Sequence, residues 1–401
     1  MDGMILPNAD WRHREGLDRL NEALRAGKGS ARFVGGAVRD ALLGLPVADI
    51  DIATRHEPED VIDLLRRAGI RAVPTGLAHG TITAVLESGP VEVTTLRRDV
   101  STDGRRATVA FTDDWREDAA RRDFTMNALY ADPLTGELFD YFGGLADLEA
   151  RRVRFIGDPL QRIAEDHLRI LRFFRFLARF GNEPDPEGLE ACTLRAKDLM
   201  ALSRERIADE LLKLLVARHA VRVVHLMVER DILLPVLPEI ALEGVARFDA
   251  LTVAEDAAGV APDAIRRLAA LLPPDPAIAD SVGARLKLSK LQRRRLNTAA
   301  SPLAGGTPQA LAYRMGTESA MDVLLLGART EDAASIRDWP VPRLPLTGGA
   351  LVERGLSKGP EVASALRAVE DLWVAEGFPD VLRVDAIADQ VVAQALRSVK
   401  S

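Results

Sequence analysis

Two aspartates separated by a single residue, in Asp49-Ile50-Asp51, form the sharpest acid pair in the chain. On an extended strand, residues two apart point to one face, so both carboxylates project together. Like charges that close are costly unless a cation neutralises them. Hard carboxylate oxygens suit Mg²⁺, an ion that also binds substrate phosphates. Two such ions roughly 3.5–4 Å apart activate an attacking hydroxyl and stabilise a leaving pyrophosphate. A third acid fits the same design. Glu92 lies between Val91 and Val93; with both valines turned to the core, Glu92 faces the opposite side, where the aspartates lie.

A second feature is Val34-Gly35-Gly36-Ala37-Val38-Arg39-Asp40, a strand running into a glycine pair and then a helix. Glycines let backbone N–H groups approach a phosphate, and the helix N-terminus adds partial positive charge. Arg39 offers a bidentate donor to a triphosphate. Farther on, Arg121-Arg122-Asp123-Phe124 places paired guanidinium groups near the start of a predicted helix, with Arg122 able to grip triphosphate oxygens. A helix there puts Asp123 and Asn127, four apart, on one face, where they buttress a site. A simple capping role is the alternative for Asp123. Asp166, Arg169, Arg172 and Arg175 step by three, along one stripe of another predicted helix. Asp166 accepts and Arg169 donates, so together they match the Watson–Crick edge of cytosine or adenine with no template. Such a site discriminates strongly, because a wrong base leaves buried polar groups unpaired.

These residues need a scaffold, and the flanking patterns supply one. Residues from about 31 to 155 read as mixed strands and helices. Short apolar stretches at 31–34, 50–53 and 81–86 are bounded by glycine or proline, and Val91 to Leu96 alternates and is rich in β-branched residues. Glu57 to Ala68 carries helical periodicity with Pro58 suited to a first turn. From Ala164 onward the pattern is helical nearly throughout, broken at proline-bearing segments. Trp339 to Pro345, with its three prolines, reads as a linker before a last helical pair. No 20–50-residue repeat and no low-complexity block is present.

Taken in order, Gly35-Gly36 with Arg39-Asp40, Asp49-x-Asp51 and Glu92 resemble the head of the polymerase-β superfamily. Arg121 to Leu129 resembles the second signature of the class II CCA-adding enzymes and bacterial poly(A) polymerases. Asp140 to Leu148 resembles that family's flexible-loop region and the start of its neck, Glu165 to Arg172 its nucleotide-selecting helix, and Ser203 to Ile207 a later neck signature. The resemblance covers roughly residues 31–215. It implies an α+β fold: a polymerase-β-like nucleotidyltransferase head with a mixed sheet at 1–150, an all-α neck at 151–215, and a helical body and tail at 216–401. It implies a Mg²⁺-dependent enzyme that adds C, C and A to a tRNA 3′ end from CTP and ATP. Poly(A) polymerase, or an enzyme adding only CC or only A, shares the same head.

The resemblance assigns Asp49 and Asp51 to metal and catalysis, with Glu92 as third carboxylate. Gly35, Gly36, Arg39, Arg122, Asp123 and Asn127 surround the nucleotide. Asp166 and Arg169 choose its base, while Arg172 and Arg175 hold nucleotide phosphate or RNA. Arg179 and, in a distal glycine turn, Lys358 are expected to touch RNA. His79 orders a loop, since two-metal transfer needs no histidine base, and no histidine is followed by aspartate as in an appended phosphohydrolase. Two other classes share part of the pattern. A catalytically silent RNA-binding module has no use for three clustered acids, and a small-molecule adenylyltransferase lacks the Asp166–Arg169 pairing.

Bulk properties fit. At 401 residues the chain is long enough for two or three structural units. Apolar residues make up 47% and charged residues 28%, an ordinary globular balance. One cysteine, Cys192, excludes an internal disulfide framework and suits a reducing cytosol. No membrane-length apolar run occurs, and Met1 to Pro7 lacks the basic stretch and apolar core of an export leader, so a cytoplasmic protein without an obligate protein partner is expected. The net charge of −7 does not exclude RNA, because phosphate binding depends on where arginines sit. Between Arg151 and Arg179, eight arginines face three acids, a local basic excess along which a phosphate backbone is expected to run. The phenylalanines interleaved there are spaced for helix core rather than base stacking.

Overall fold

The computed structural model describes residues 5–102, 107–302 and 305–398; Met1–Met4, part of the stretch read for an export leader, lie outside them. The chain forms two compact units, Met1–Pro238 and Glu239–Ser401.

In the first unit the strands are β1 (Ala31–Val34), β2 (Asp51–Thr54), β3 (Arg71–Gly76), β4 (Thr81–Leu86), β5 (Gly89–Thr95), β6 (Arg97–Thr102), β7 (Ala107–Phe111), β8 (Leu129–Ala131) and β9 (Leu138–Asp140). Seven of them form a sheet in the order β3-β4-β5-β2-β1-β8-β9, and β6 pairs with β7 separately. β2 and β5 run parallel while the other neighbours are antiparallel, so the mixed sheet expected from the sequence is present. Period-two burial explains the strand faces: Ile82, Ala84 and Leu86 on β4 and Val91, Val93 and Thr95 on β5 are buried, and Glu92 between them is exposed. The helix Pro58–Arg67 starts with proline at its first position, carries acids in its first turn and arginines in its last, and buries Val61 and Leu65.

Two expected helices are corrected. The helix Trp115–Ala120, capped by the Asp114 carboxylate on the Arg116 N–H, stops before Arg121. Phe124 then bridges to Phe155 as extended chain, Thr125–Asn127 makes one 3₁₀ turn, and Leu129 begins β8. Burial of Phe124 against Phe155, Phe173 and Phe176 overrides the helical pattern. The stretch from Ala164 to Phe180 is likewise two helices, Pro159–Glu165 and Arg169–Phe180. Asp166 is extended, its carboxylate accepts the Leu168 N–H at 3.1 Å and its carbonyl accepts the Arg169 N–H at 3.0 Å. This local side-chain turn competes with helix continuation. Asp166 therefore sits in a break and not on the stripe with Arg169, Arg172 and Arg175.

The phenylalanines at 155, 173, 174, 176 and 180 are core, as their spacing predicts. Cys192 is buried in the helix Pro186–Leu194, which pushes its thiol pKa up and leaves it a small apolar residue.

The second unit is helical from Leu242–Ala258 to Val381–Ser398. Residues 339–347 have no regular structure, as the prolines predict, and the last element is three helices, Gly348–Glu353, Pro360–Ala375 and Val381–Ser398, not a pair. Their core gathers around Trp373, Val384, Ile387 and Ala388. Among the described residues no helix is long and apolar enough to cross a membrane.

Candidate functional site

At the end of β1 the chain turns at Gly35, whose φ of 68° and ψ of −122° lie where side chains are rarely tolerated. A Cβ there would also stand 3.4 Å from Arg122 Nη1. The Gly35 N–H is committed to the Leu129 carbonyl at 3.1 Å, so approach to an anion falls to Gly36, which opens the helix Gly36–Leu42. Arg39 of that helix is buried. Its guanidinium donates to Asp40 Oδ1 at 2.8 Å and Asn127 Oδ1 at 2.5 Å and stacks over Phe180, and burial lowers its pKa. Arg39 is thus a wall of the site, braced by protein partners.

β2 and β5 bring Asp51 and Glu92 side by side as register partners on neighbouring strands, and the Glu92 N–H donates to the Ile50 carbonyl. Ile50, Ile52, Val91 and Val93 are buried on the opposite face. Burial, with like charge from Glu92 and Asp49 and against the pull of Arg122 and Arg39, lifts the Asp51 carboxyl to about 6. The crowded acids are a donor set for a hard cation. Among the described residues no three metal-binding side chains close on a common point, and Asp49 and Glu92 are exposed. The fit is therefore to a Mg²⁺ held by one or two carboxylates with oxygens from substrate phosphates completing its shell.

Facing the acids, Arg122 is held by Asp118 and Tyr130. Its Nη2 donates to Asp118 Oδ2 at 3.2 Å and its Nε to the Tyr130 hydroxyl at 3.3 Å, while that hydroxyl donates to Asp118 Oδ2 at 2.7 Å. Burial pushes the Asp118 carboxyl up, but Arg122 and Arg121 more than reverse this and hold it at about 2. Asp118 was missed in the sequence although its three- and four-residue spacing to Arg121 and Arg122 is a legible helical ion-pair pattern.

Asp123 and Asn127 do meet, across the 3₁₀ turn and not along a helix: Asn127 Nδ2 donates to Asp123 Oδ1 at 2.9 Å. Asp123 Oδ2 accepts Arg172 Nε at 2.7 Å, and although burial raises its pKa, Arg172 and Asn127 bring it below the ordinary carboxylate value. Asp123 is therefore a cross-link between the head and the Arg169–Phe180 helix, and it caps no helix. That turn is supported from behind by Gly144, where an added Cβ would collide with the Thr125 carbonyl oxygen. Gly144→Ala should destabilise the first unit by about 1–3 kcal/mol, read as a lower urea midpoint.

Asp166 and Arg169 line the cleft with different partners. Arg206 Nη2 donates to both Asp166 oxygens, at 3.1 and 2.9 Å. Arg169 Nη1 donates to Glu165 Oε2 at 2.5 Å and the Arg162 carbonyl at 2.8 Å. Arg206 falls in the Ser203–Ile207 neck signature but carries no assigned role in the sequence, because nothing in sequence spacing links it to Asp166. Arg175 pairs with Glu210 at 2.5 Å, apart from the cleft lining, and Arg179, about half exposed, reaches Asp40 at 3.4 Å. Within the basic stretch between Arg151 and Arg179, acids from elsewhere pair with Arg154, Arg172 and Arg175, namely Asp147, Asp123 and Glu210. Lys358 is exposed in the turn before the helix Pro360–Ala375 of the second unit. His79 closes a 3₁₀ turn between β3 and β4, and its carbonyl accepts Arg97 Nη1.

Part of this set meets in a cleft of about 430 Å³. Gly35, Gly36, Arg39, Asp51, Arg122, Asp123, Asn127, Asp166, Arg169, Arg172 and Arg206 line it, whereas Asp49, Glu92, Arg175, Arg179 and Lys358 are not among its lining residues.

Residues 31–154 match the family described as the Poly A polymerase head domain, and residues 183–243 the one described as a probable RNA and SrmB-binding site of polymerase A. The human CCA tRNA nucleotidyltransferase 1, mitochondrial, is 36% identical over 384 residues, covering 91% of this chain and 87% of the relative. The CCA-adding enzyme of Anoxybacillus flavithermus is 39% identical over 230 residues, covering 57% of this chain and 56% of the relative. Among solved structures, the Bacillus stearothermophilus CCA-adding enzyme in complex with CTP superposes with a TM-score of 0.69 at 28% identity, covering 89% of this chain and 91% of that one.

Proposed function

The chain belongs to the family of CCA tRNA nucleotidyltransferases, and we propose that it adds C, C and A to the tRNA 3′ end from CTP and ATP without a nucleic-acid template, releasing pyrophosphate. The observation that carries this reading is a cleft that joins Asp51, the buried member of the crowded acids, a glycine turn and an arginine to an aspartate and an arginine able to read a base edge.

In this reading the 3′ hydroxyl of tRNA attacks the α-phosphate of the bound nucleotide. Asp49 and Asp51 would hold Mg²⁺, which would supply activation of the hydroxyl and charge neutralisation at the departing pyrophosphate. Glu92 assists as the third carboxylate. Gly36 and Arg122 align the triphosphate, with Arg122 fixed beforehand by Asp118 so that little reorganisation is needed. Arg39, Asp123 and Asn127 brace that wall. The hydrogen bonds of Arg169 to Glu165 and to the Arg162 and Arg121 carbonyls use three of its five donors and those of Asp166 leave acceptor capacity, so both have hydrogen bonds to offer a base. Arg172 holds nucleotide phosphate, and Arg175, Arg179 and Lys358 serve RNA. We assign 1–150 to the catalytic head, 151–215 to a nucleotide-selecting neck, and 216–401 to a tRNA-binding body and tail. One buried cysteine suits the cytoplasm or another reducing compartment.

The test supplies purified protein with tRNA ending at the discriminator base, with each labelled nucleotide singly and then with both. Three added residues, C, C and A, are expected. A long adenosine tract would make the chain a poly(A) polymerase, C alone or A alone a partial-activity enzyme, and no incorporation an RNA-binding module.

A further inference from the structure

We propose that Arg162, which does not line the cleft, is a positioning residue that ties the base-selecting end of the site to its triphosphate-holding end and thereby sets nucleotide choice. The inference rests on the nucleotide-adding reading above and deepens it.

Arg162 is buried on the helix Pro159–Glu165. Proline at the first position and the Asp158 cap on the Leu160 and Gln161 N–H groups fix where that helix starts. One arm of its guanidinium reaches the head: Nη2 donates to the carbonyls of Arg121 at 2.5 Å and Arg122 at 2.7 Å. The other reaches the neck: Nη1 donates to Glu165 Oε2 at 2.5 Å. That same Glu165 oxygen accepts Arg169 Nη1 at 2.5 Å, and Arg169 Nη2 returns to the Arg121 carbonyl at 3.4 Å. Arg162, Glu165, Arg169 and the Arg121 carbonyl thus form a closed ring.

The ring has a consequence for chemistry. Arg122 presents its side chain to the triphosphate end, and its own carbonyl is a ligand of Arg162. Arg169 presents its remaining donors to the base end, and Glu165, shared with Arg162, sets the tilt of its guanidinium. A carboxylate oxygen shared by two guanidinium groups couples their orientations, and the planar five-donor fork of arginine suits three divergent acceptors. Lysine at this position keeps the charge but, as a compact ammonium on a flexible stem, cannot reproduce the fork. Arg169 would then sample several tilts while every group that touches nucleotide keeps its identity.

The test compares full-length wild type, R162K, R169A and R162K/R169A on tRNA ending in CC, measuring kcat/KM for ATP and for UTP together with thermal midpoints. R162K is expected to lower the ATP-over-UTP preference at least about tenfold, by loss with ATP and gain with UTP. The double variant is expected to show no further loss of preference than R169A alone, since Arg162 acts through Arg169. An R162K variant that slows both nucleotides equally, or a double variant whose losses add, would overturn the inference by reducing Arg162 to a purely structural role. If wild type itself adds no A to this tRNA, the nucleotide-adding reading falls and takes this one with it. If wild type adds A and R162K keeps its preference, this inference alone is wrong.

Discussion

Asp51→Ala should abolish nucleotide addition, lowering kcat by at least about a thousandfold while leaving tRNA affinity nearly unchanged. Asp51 lines the cleft, and its pKa is lifted to about 6, first by burial and then by the neighbouring charges of Glu92 and Asp49. In the proposed mechanism an ion and a triphosphate relieve that crowding in the working complex, and the Asp51→Ala variant loses the ion. RNA is gripped by other groups, so gel-shift affinity should survive. Single-turnover incorporation of labelled CMP, with the gel shift run in parallel, separates the two quantities.

Arg169→Ala should act on choice rather than on chemistry. The acid pair, the glycine turn and Arg122 stay in place, so phosphoryl transfer continues. The charged donors to the base edge are lost, and each such hydrogen bond contributes about 1.5–3 kcal/mol. The preference for CTP over UTP should therefore fall by roughly 10- to 100-fold, with kcat for CTP falling much less. Competition between the two labelled nucleotides on one tRNA reads this ratio directly. A proportional loss with both nucleotides would remove Arg169 from base selection.

The mixed sheet was legible because strands show period-two burial: the alternation around Glu92 placed it opposite Val91 and Val93, where it lies, in register with Asp51. Residues grouped in the cleft, from Gly35 to Arg172, were legible by type and order. Local pattern misled where tertiary contacts decide. Arg121 to Leu129 looks helical, yet burial of Phe124 makes it extended chain and a 3₁₀ turn. Asp166 looks like one step of a helical stripe, yet its own carboxylate and carbonyl interrupt the helix. Ion pairing over long separations was invisible for the same reason. Arg175 and Arg206 were given or denied roles without knowledge of Glu210 and Asp166, their partners in space.

The central claim is that the acids at 49 and 51 hold a divalent ion beside a triphosphate resting on the Gly35–Gly36 turn. A crystal structure of the chain with Mn²⁺ and a non-hydrolysable CTP analogue tests it most directly, through the anomalous signal of the metal. The expected result is manganese bound to Asp49 or Asp51 and to the triphosphate, with the cytosine edge at Asp166 and Arg169. Manganese and nucleotide bound together elsewhere, with both aspartates free of metal, would contradict it.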